Sequence, residues 1–248
     1  MKRRIQHILQ SVFGLERYLF IFSIYKILTF RFDKYEKDFF IFLNMLNDSS
    51  NVIDIGANIG ITTVLLARKL RKGFVYSFEP VPVNFKILQK VIVFFNLKNV
   101  KCFNYALGER NDLAKIIIPS INGVQMQGLS YIKKTSLEKE NDNAESFIIE
   151  LKKLDEIEYF HNIRIDAIKI DVENYEYYVL RGAENLISKN KPQIYSEVWD
   201  NEFRKKTLDF FKTLKYDILV SSDGKHLIRI DENQVNTQNF FFMYKSVE

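Results

Sequence analysis

Two glycines, an acid and an amide fall close together in Asp54-Ile-Gly56-Ala57-Asn58-Ile-Gly60. The apolar β-branched pair Val52-Ile53 leads into Asp54, and Ile61-Thr-Thr-Val-Leu-Leu-Ala67 follows as a helix-forming stretch. A strand turning sharply into a helix around Gly56 and Gly60 brings backbone N–H groups close to a ligand, with no side chain in the way. The spacing Gly-x-Asn-x-Gly departs from the Gly-x-Gly-x-x-Gly fingerprint that approaches a pyrophosphate. The expected ligand therefore lacks phosphate and is held by Asp54 and backbone groups, the alternative being a tight turn that holds nothing. Glu79 stands 25 residues beyond Asp54, directly after the run Phe74-Val-Tyr-Ser-Phe78. An acid at that place commonly accepts hydrogen bonds from the ribose hydroxyls of a nucleoside-containing ligand. Pro80 and Pro82 stiffen the turn behind it.

Two further acidic sites come later. Lys169-Ile-Asp171-Val-Glu173-Asn-Tyr-Glu176 sets three carboxylates after a strand-like run, with Asp171 placed to point into a cleft and Glu173 placed to cap the next helix. Glu197 and Trp199 end the run 193–198. If those strands are neighbours, Asp171 and Glu197 face one substrate and form a pair from which a general base could come. A helix-capping role is the competing reading of Glu197. His7, His161 and His226 show no metal-ligand spacing, so no metal site is expected, and no serine nucleophile elbow or phosphate-binding Gly-Lys-Ser/Thr loop is present.

The elements that must position these residues alternate. Helix 33–47 leads into strand 51–55, and the order continues as helix 59–71, strand 74–78, helix 82–96 and strand 100–104. Strand 166–170, helix 174–189, strand 193–198, helix 201–214 and strands near 216–220 and 239–244 complete it. Such alternation predicts an α/β fold with a mostly parallel sheet, helices on both faces, and a ligand beyond the carboxyl ends of the strands. The stretch 105–165 breaks the pattern and reads as a long irregular segment, with Asn122-Gly123 placed as a hairpin turn and a polar run from Glu138 to Glu145. No domain boundary is visible within 33–248.

Residues 1–32 stand apart as a helical extension. Met1-Lys-Arg-Arg4 precedes apolar residues at helical spacing, and from Tyr18 to Phe30 the chain is apolar nearly all round. Glu16, Arg17 and Lys26 interrupt the run, which is too short and too charged for a span of roughly 20 residues. A pair of helices packed on the domain or on a second subunit is expected, the alternative being a basic amphipathic segment on a membrane surface. The 36 basic and 31 acidic residues leave +5, and the lysines are scattered, which argues against a nucleic-acid partner. A single cysteine, Cys102, excludes a disulfide within the chain and fits a reducing, cytoplasmic location, with peripheral membrane contact as the variant.

Taken in order, these segments resemble the FkbM family of S-adenosylmethionine-dependent methyltransferases. The resemblance covers roughly residues 33–200. It is carried by Val52-Ile-Asp-Ile-Gly-Ala-Asn-Ile-Gly60, Phe78-Glu-Pro80 with Asn84-Phe85, Ala106-Leu-Gly108 and Leu154-Asp155, then by Ile168-Lys-Ile-Asp-Val-Glu173 with Glu176, Leu180-Arg-Gly-Ala183 and Pro192 through Glu197. It implies the class I methyltransferase fold, Rossmann-like, with seven strands of which the last, Phe240–Tyr244, runs antiparallel. It also implies that Asp54, Gly56, Ala57, Asn58 and Gly60 hold the methionine portion of S-adenosyl-L-methionine. Glu79 beside Pro80 would take the ribose, Tyr105, Ala106 and Leu107 the adenine, and Asp171 the methionine amine or the substrate. The family usually has Gly after Asp-Val-Glu; Asn174 stands there, and Asn tolerates a left-handed backbone better than most residues. The function implied is O-methylation of a sugar, glycan or other small molecule, with Asp171 or Glu197 as base. The rivals are a methyltransferase acting on RNA or protein, and a non-catalytic module that keeps the fold. The acceptor pocket is expected from residues 120–145 and the C-terminal segment.

Overall fold

The computed structural model describes residues 9–121, 124–132, 144–230 and 237–245. Eight strands make the main sheet. β1 (Val52–Ile55), β2 (Val75–Phe78) and β3 (Val100–Phe103) form one half, while β10 (Ala167–Ile170) and β11 (Gln193–Glu197) continue it parallel on the other side of β1. β14 (Asn239–Tyr244) lies antiparallel between β11 and β12 (Tyr216–Val220), and the two-residue β13 (Ile228–Arg229) extends the edge. The order β13-β12-β14-β11-β10-β1-β2-β3 thus contains the antiparallel strand foreseen in 239–244, with one strand more than the seven expected. The central strands are buried throughout, as near-continuous apolar runs covered on both faces should be.

The stretch taken as irregular is instead a second sheet. β4 (Ala106–Leu107), β5 (Asp112–Ile118), β8 (Tyr131–Ile132) and β9 (Glu145–Lys152) pair in the order β4-β9-β5-β8, with β5 and β9 antiparallel over seven residue pairs. Between them in the chain the short strands β6 (Ser120–Ile121) and β7 (Val124–Gln125) pair antiparallel. The turn expected at Asn122-Gly123 lies outside the described residues, as do His7, the basic cluster 1–4 and most of the polar run 138–145.

Helices supply the layers. α1 is described over residues 9–13, and α2 (Leu15–Thr29), α3 (Lys37–Met45), α4 (Ile61–Lys69) and α5 (Pro82–Phe94) follow. The long helix expected over 174–189 is broken into α6 (Glu176–Arg181) and α7 (Glu184–Asn190), and α8 (Glu202–Thr213) completes the set. Gly182 stands at the break, and a Cβ there would lie 1.9 Å from the Gly108 carbonyl oxygen, so the chain passes that point only as glycine. α2 buries Tyr18, Leu19 and Ile27 with Val64, Ile87 and Val91 of α4 and α5. Its Glu16 meets Lys86 at 2.6 Å and Lys90 at 3.0 Å. The N-terminal extension is therefore packed on the domain along one face, and no helix among the described residues is long and apolar enough to cross a membrane.

Candidate functional site

The turn after β1 is built as its composition predicts. Gly56, Asn58 and Gly60 all have positive φ (77°, 50° and 87°), which glycine adopts freely and asparagine tolerates. What the turn does with its backbone differs from expectation. The Gly56 and Ala57 N–H groups both donate to the Phe78 carbonyl, at 3.1 and 3.0 Å, the Asn58 N–H donates to Glu79 Oε2 at 2.8 Å, and the Gly60 N–H donates to the Ala57 carbonyl. These donors serve the protein itself. The glycines make room for protein too. A Cβ on Gly56 would lie 1.8 Å from the Asp171 carbonyl oxygen, and one on Gly60 would lie 2.9 Å from the Leu88 side chain. What the turn leaves for a ligand is an acceptor: Asn58 Oδ1 is buried without a hydrogen-bond partner.

Asp54 also departs from the role expected of it. Its side chain is wholly buried and lines none of the three cavities described below, so it stands behind them. Oδ2 accepts from the Thr62 and Thr63 hydroxyls at 3.0 and 2.7 Å, and Oδ1 lies 3.4 Å from Lys169 Nζ. Lys169 is the residue that sequence reasoning passed over. It is 3% exposed, donates to the Gly56 carbonyl at 3.0 Å and stands 3.3 Å from Asp171 Oδ2. Burial alone would depress its pKa; Asp171 and Asp54 outweigh that and hold it above the ordinary lysine value, so it stays a cation. Lys169 sits directly opposite Asp54 in the β1–β10 ladder. One buried cation thus ties the β1 acid, the first glycine of the turn and the β10 acid together.

Three cavities run along the carboxyl ends of the strands, and Asp171 lines all three. A narrow slot of about 70 Å³ is walled by Phe78, Glu79, Pro80, Tyr105, Ala106 and Leu107, and roofed by Gly128, Ser130 and Ile132. Gly56, Asn58 and Asp171 line both this slot and a second cavity of about 330 Å³, which Ala57 and α2 also border. Gly60 lines neither. Glu79 is buried, and burial pushes its carboxyl up to about 7 against the bonds it accepts from the Val81 and Asn58 N–H groups and the Asn84 amide.

The third cavity is an open cleft of about 550 Å³ floored by Lys169 and walled by Glu36, Asp171, Glu197 and Asp200, with Thr237, Gln238 and Asn239 across from them. Asp171 and Glu197 meet here, at the ends of adjacent strands. Burial and then the Asp171 charge push the Glu197 carboxyl up to about 7. Burial and the same neighbour raise Glu173, which lines the slot, to about 8. Glu173 and Asn174 follow β10 with φ of 48° and 72°, the left-handed turn at which Asn replaces Gly. The C-terminal segment expected at the acceptor pocket does line this cleft, whereas the described part of 120–145 lines the other two cavities. Among the described residues, no group of three or more His, Cys, Asp or Glu is arranged to hold a metal ion.

A family model described as the methyltransferase FkbM domain matches residues 54–231, from the acid behind the turn to the edge of the main sheet. The chain belongs to this family. The FkbM-domain chain is 27% identical over 149 residues to "Methyltransferase 1" of Beauveria bassiana (strain ARSEF 2860), covering 56% of this chain and 60% of the relative. It is 25% identical over 171 residues to "Methyltransferase sdnD" of Sordaria araneosa, covering 60% of this chain and 66% of the relative. It therefore spans less than two thirds of either relative's length. A crystal structure of methyltransferase FkbM from Methylobacillus flagellatus KT superposes with a TM-score of 0.53 at 18% identity, over 79% of this chain and 44% of that one, and supports the fold.

Proposed function

We propose that this FkbM-domain protein transfers the methyl group of S-adenosylmethionine to a hydroxyl of a neutral, hydroxyl-rich acceptor such as a sugar, a glycan or another small polyol. The observation that carries the reading is the continuity of the three cavities through Asp171, with an acceptor-rich donor end and a carboxylate-walled cleft beyond it. The donor end fits the cofactor by its polarity. Asn58 Oδ1 has no partner, and Glu79 retains acceptor capacity beyond its three bonds. These atoms suit a ligand rich in donors, such as an ammonium and a ribose diol, and they repel phosphate. Glu79 and Asn58 would hold the ribose and amino acid ends. Tyr105, Ala106 and Leu107 would face the base, and the Gly128–Ile132 roof must yield to admit it, because adenine with its sugar exceeds the slot.

Bound S-adenosylmethionine supplies a methyl already electrophilic on its sulfonium, so the protein's part is alignment and removal of the acceptor's proton. Glu197, at the cleft wall beside Asp171, would take the acceptor hydroxyl's proton onto its carboxylate. With its pKa near 7, Glu197 is ionised enough to accept and basic enough to help. The acids around the cleft disfavour phosphorylated or carboxylated acceptors.

The test pairs calorimetry with turnover on neutral and phosphorylated glycosides. Glu197→Gln is expected to bind S-adenosylmethionine as the wild type does and to lose about 10²-fold or more in kcat. No cofactor binding by the wild type sinks the cofactor assignment, a fully active variant removes Glu197 as base, and a preference for the phosphorylated glycoside overturns the acceptor class.

A further inference from the structure

The face of α2 that points away from the domain is as unusual as the face that packs. Ile21, Tyr25, Leu28, Phe32 and Tyr35 form one stripe at helical spacing that runs off the end of the helix, and they are 56% to 77% exposed. Beside them stand the exposed cations Arg17, Arg31, Lys34 and Lys37. Arg31 lies over the Phe32 ring at 4.7 Å and Lys34 over the Tyr35 ring at 4.9 Å, so charge and aromatic surface are interleaved. The three acids of the same stretch are withdrawn from this face. Glu16 pairs with Lys86 and Lys90, Asp33 pairs with Lys26, and Glu36 lines the cleft. Phe20 touches Phe94 of α5, where Val93 and Phe94 extend the exposed apolar surface.

We infer that this face docks on an anionic lipid bilayer surface, lying in the headgroup layer without crossing it. Apolar and aromatic side chains between cations, with the one substantially exposed acid of residues 11–37, Glu16, neutralised by Lys86 and Lys90, match that surface in both of its properties. A second copy matches it in only one. An isologous pairing brings a cationic rim toward the same cationic rim, with no carboxylate on the face to meet it. Tyr35 belongs to the stripe and also lines the 550 Å³ cleft, so docking sets the cleft's mouth at the headgroups. The inference rests on this surface and not on the reaction assigned above.

Co-sedimentation with vesicles of phosphatidylcholine containing a third phosphatidylglycerol, against phosphatidylcholine alone, tests it. The protein is expected to bind the anionic vesicles and to release as salt is raised. Leu28→Asp/Phe32→Asp should lower the partition coefficient at least tenfold, and Arg31→Ser with Lys34→Ser about fivefold each, since each cation near such a surface contributes about that factor. Both positions are exposed, so an unchanged thermal midpoint confirms folding. Failure of the wild type to bind anionic vesicles at low salt overturns the inference, and so does equal binding by the Asp variants. Light scattering that finds a wild-type dimer and a Leu28→Asp/Phe32→Asp monomer assigns the face to a second copy and overturns it as well.

Discussion

The two ends of the cavity run are built on opposite principles. At the donor end, the turn 54–60 spends its N–H groups on Phe78, Ala57 and Glu79, wedges Gly56 against Asp171, and is held from behind by Lys169. Little there is free to move, and what it offers a ligand is a few fixed acceptors. At the acceptor end, side chains come from α3 and the segment before it, from β11 and from the approach to β14, and the carboxylates Glu36 and Glu197 are both pushed up by burial. The lesson is a division of labour. On the proposed reading, S-adenosylmethionine would meet a corner whose backbone donors are already paired, while the acceptor would meet side chains that can change without disturbing the ladder.

The contrast is broken most severely by Gly56→Ala. A methyl placed 1.8 Å from the Asp171 carbonyl, at φ 77°, must push β1 and β10 apart, and a loss of about 5 kcal/mol or more is expected by chemical denaturation. Lys169→Met comes next, at about 3–5 kcal/mol, because it leaves Asp54 as a buried unpaired charge. Adding Asp54→Asn should return much of that loss, which an independent role for either residue would not. A pH series then addresses Glu79. Its folded carboxyl holds its proton up to about 7 whereas the unfolded one releases it near 4.5, so raising pH between those values favours unfolding, by about 3 kcal/mol in total. Glu79→Gln should flatten that part of the stability curve, and an unchanged slope would remove Glu79 as its source. The smallest effect is expected at Asn174. Asn174→Ala should cost about 1 kcal/mol for a φ of 72°, while Asn174→Gly should cost nothing or stabilise, as thermal midpoints will read.

Much of this was legible before any coordinates. The central strands announce themselves as short β-branched runs bounded by glycine and acid, and the positions of Glu79, Asp171 and Glu197 follow from alternation alone. Positive φ at Gly56, Asn58 and Gly60 is likewise what their types predict. Lys169 was not legible. In Ala-Ile-Lys-Ile it reads as the polar face of a strand, and only the pairing with Asp54, 115 positions earlier, makes it a buried cation. The same pairing holds the Asp54 side chain buried beneath the turn. The second sheet was missed because β5 begins polar and exposed, although Phe147, Ile149 and Leu151 in β9 carry a period of two. Glu36 and Asn239 join the cleft from opposite ends of the chain, which no local pattern encodes.

The place of β14 has a consequence for how the molecule is made. Residues 239–244 are inserted between β11 and β12, which share no ladder, so a chain emerging from the ribosome holds two strands with one edge each unpaired until that segment arrives. Both bury Ile, Tyr or Val side chains in the finished sheet, and β11 ends in Glu197. Until then the nascent protein carries a finished donor corner beside an open slot of strand width, a template for any extended segment nearby. The cleft's wall at 237–239 is made after β11 and β12, and until then those strand edges are the part most exposed to the wrong partner.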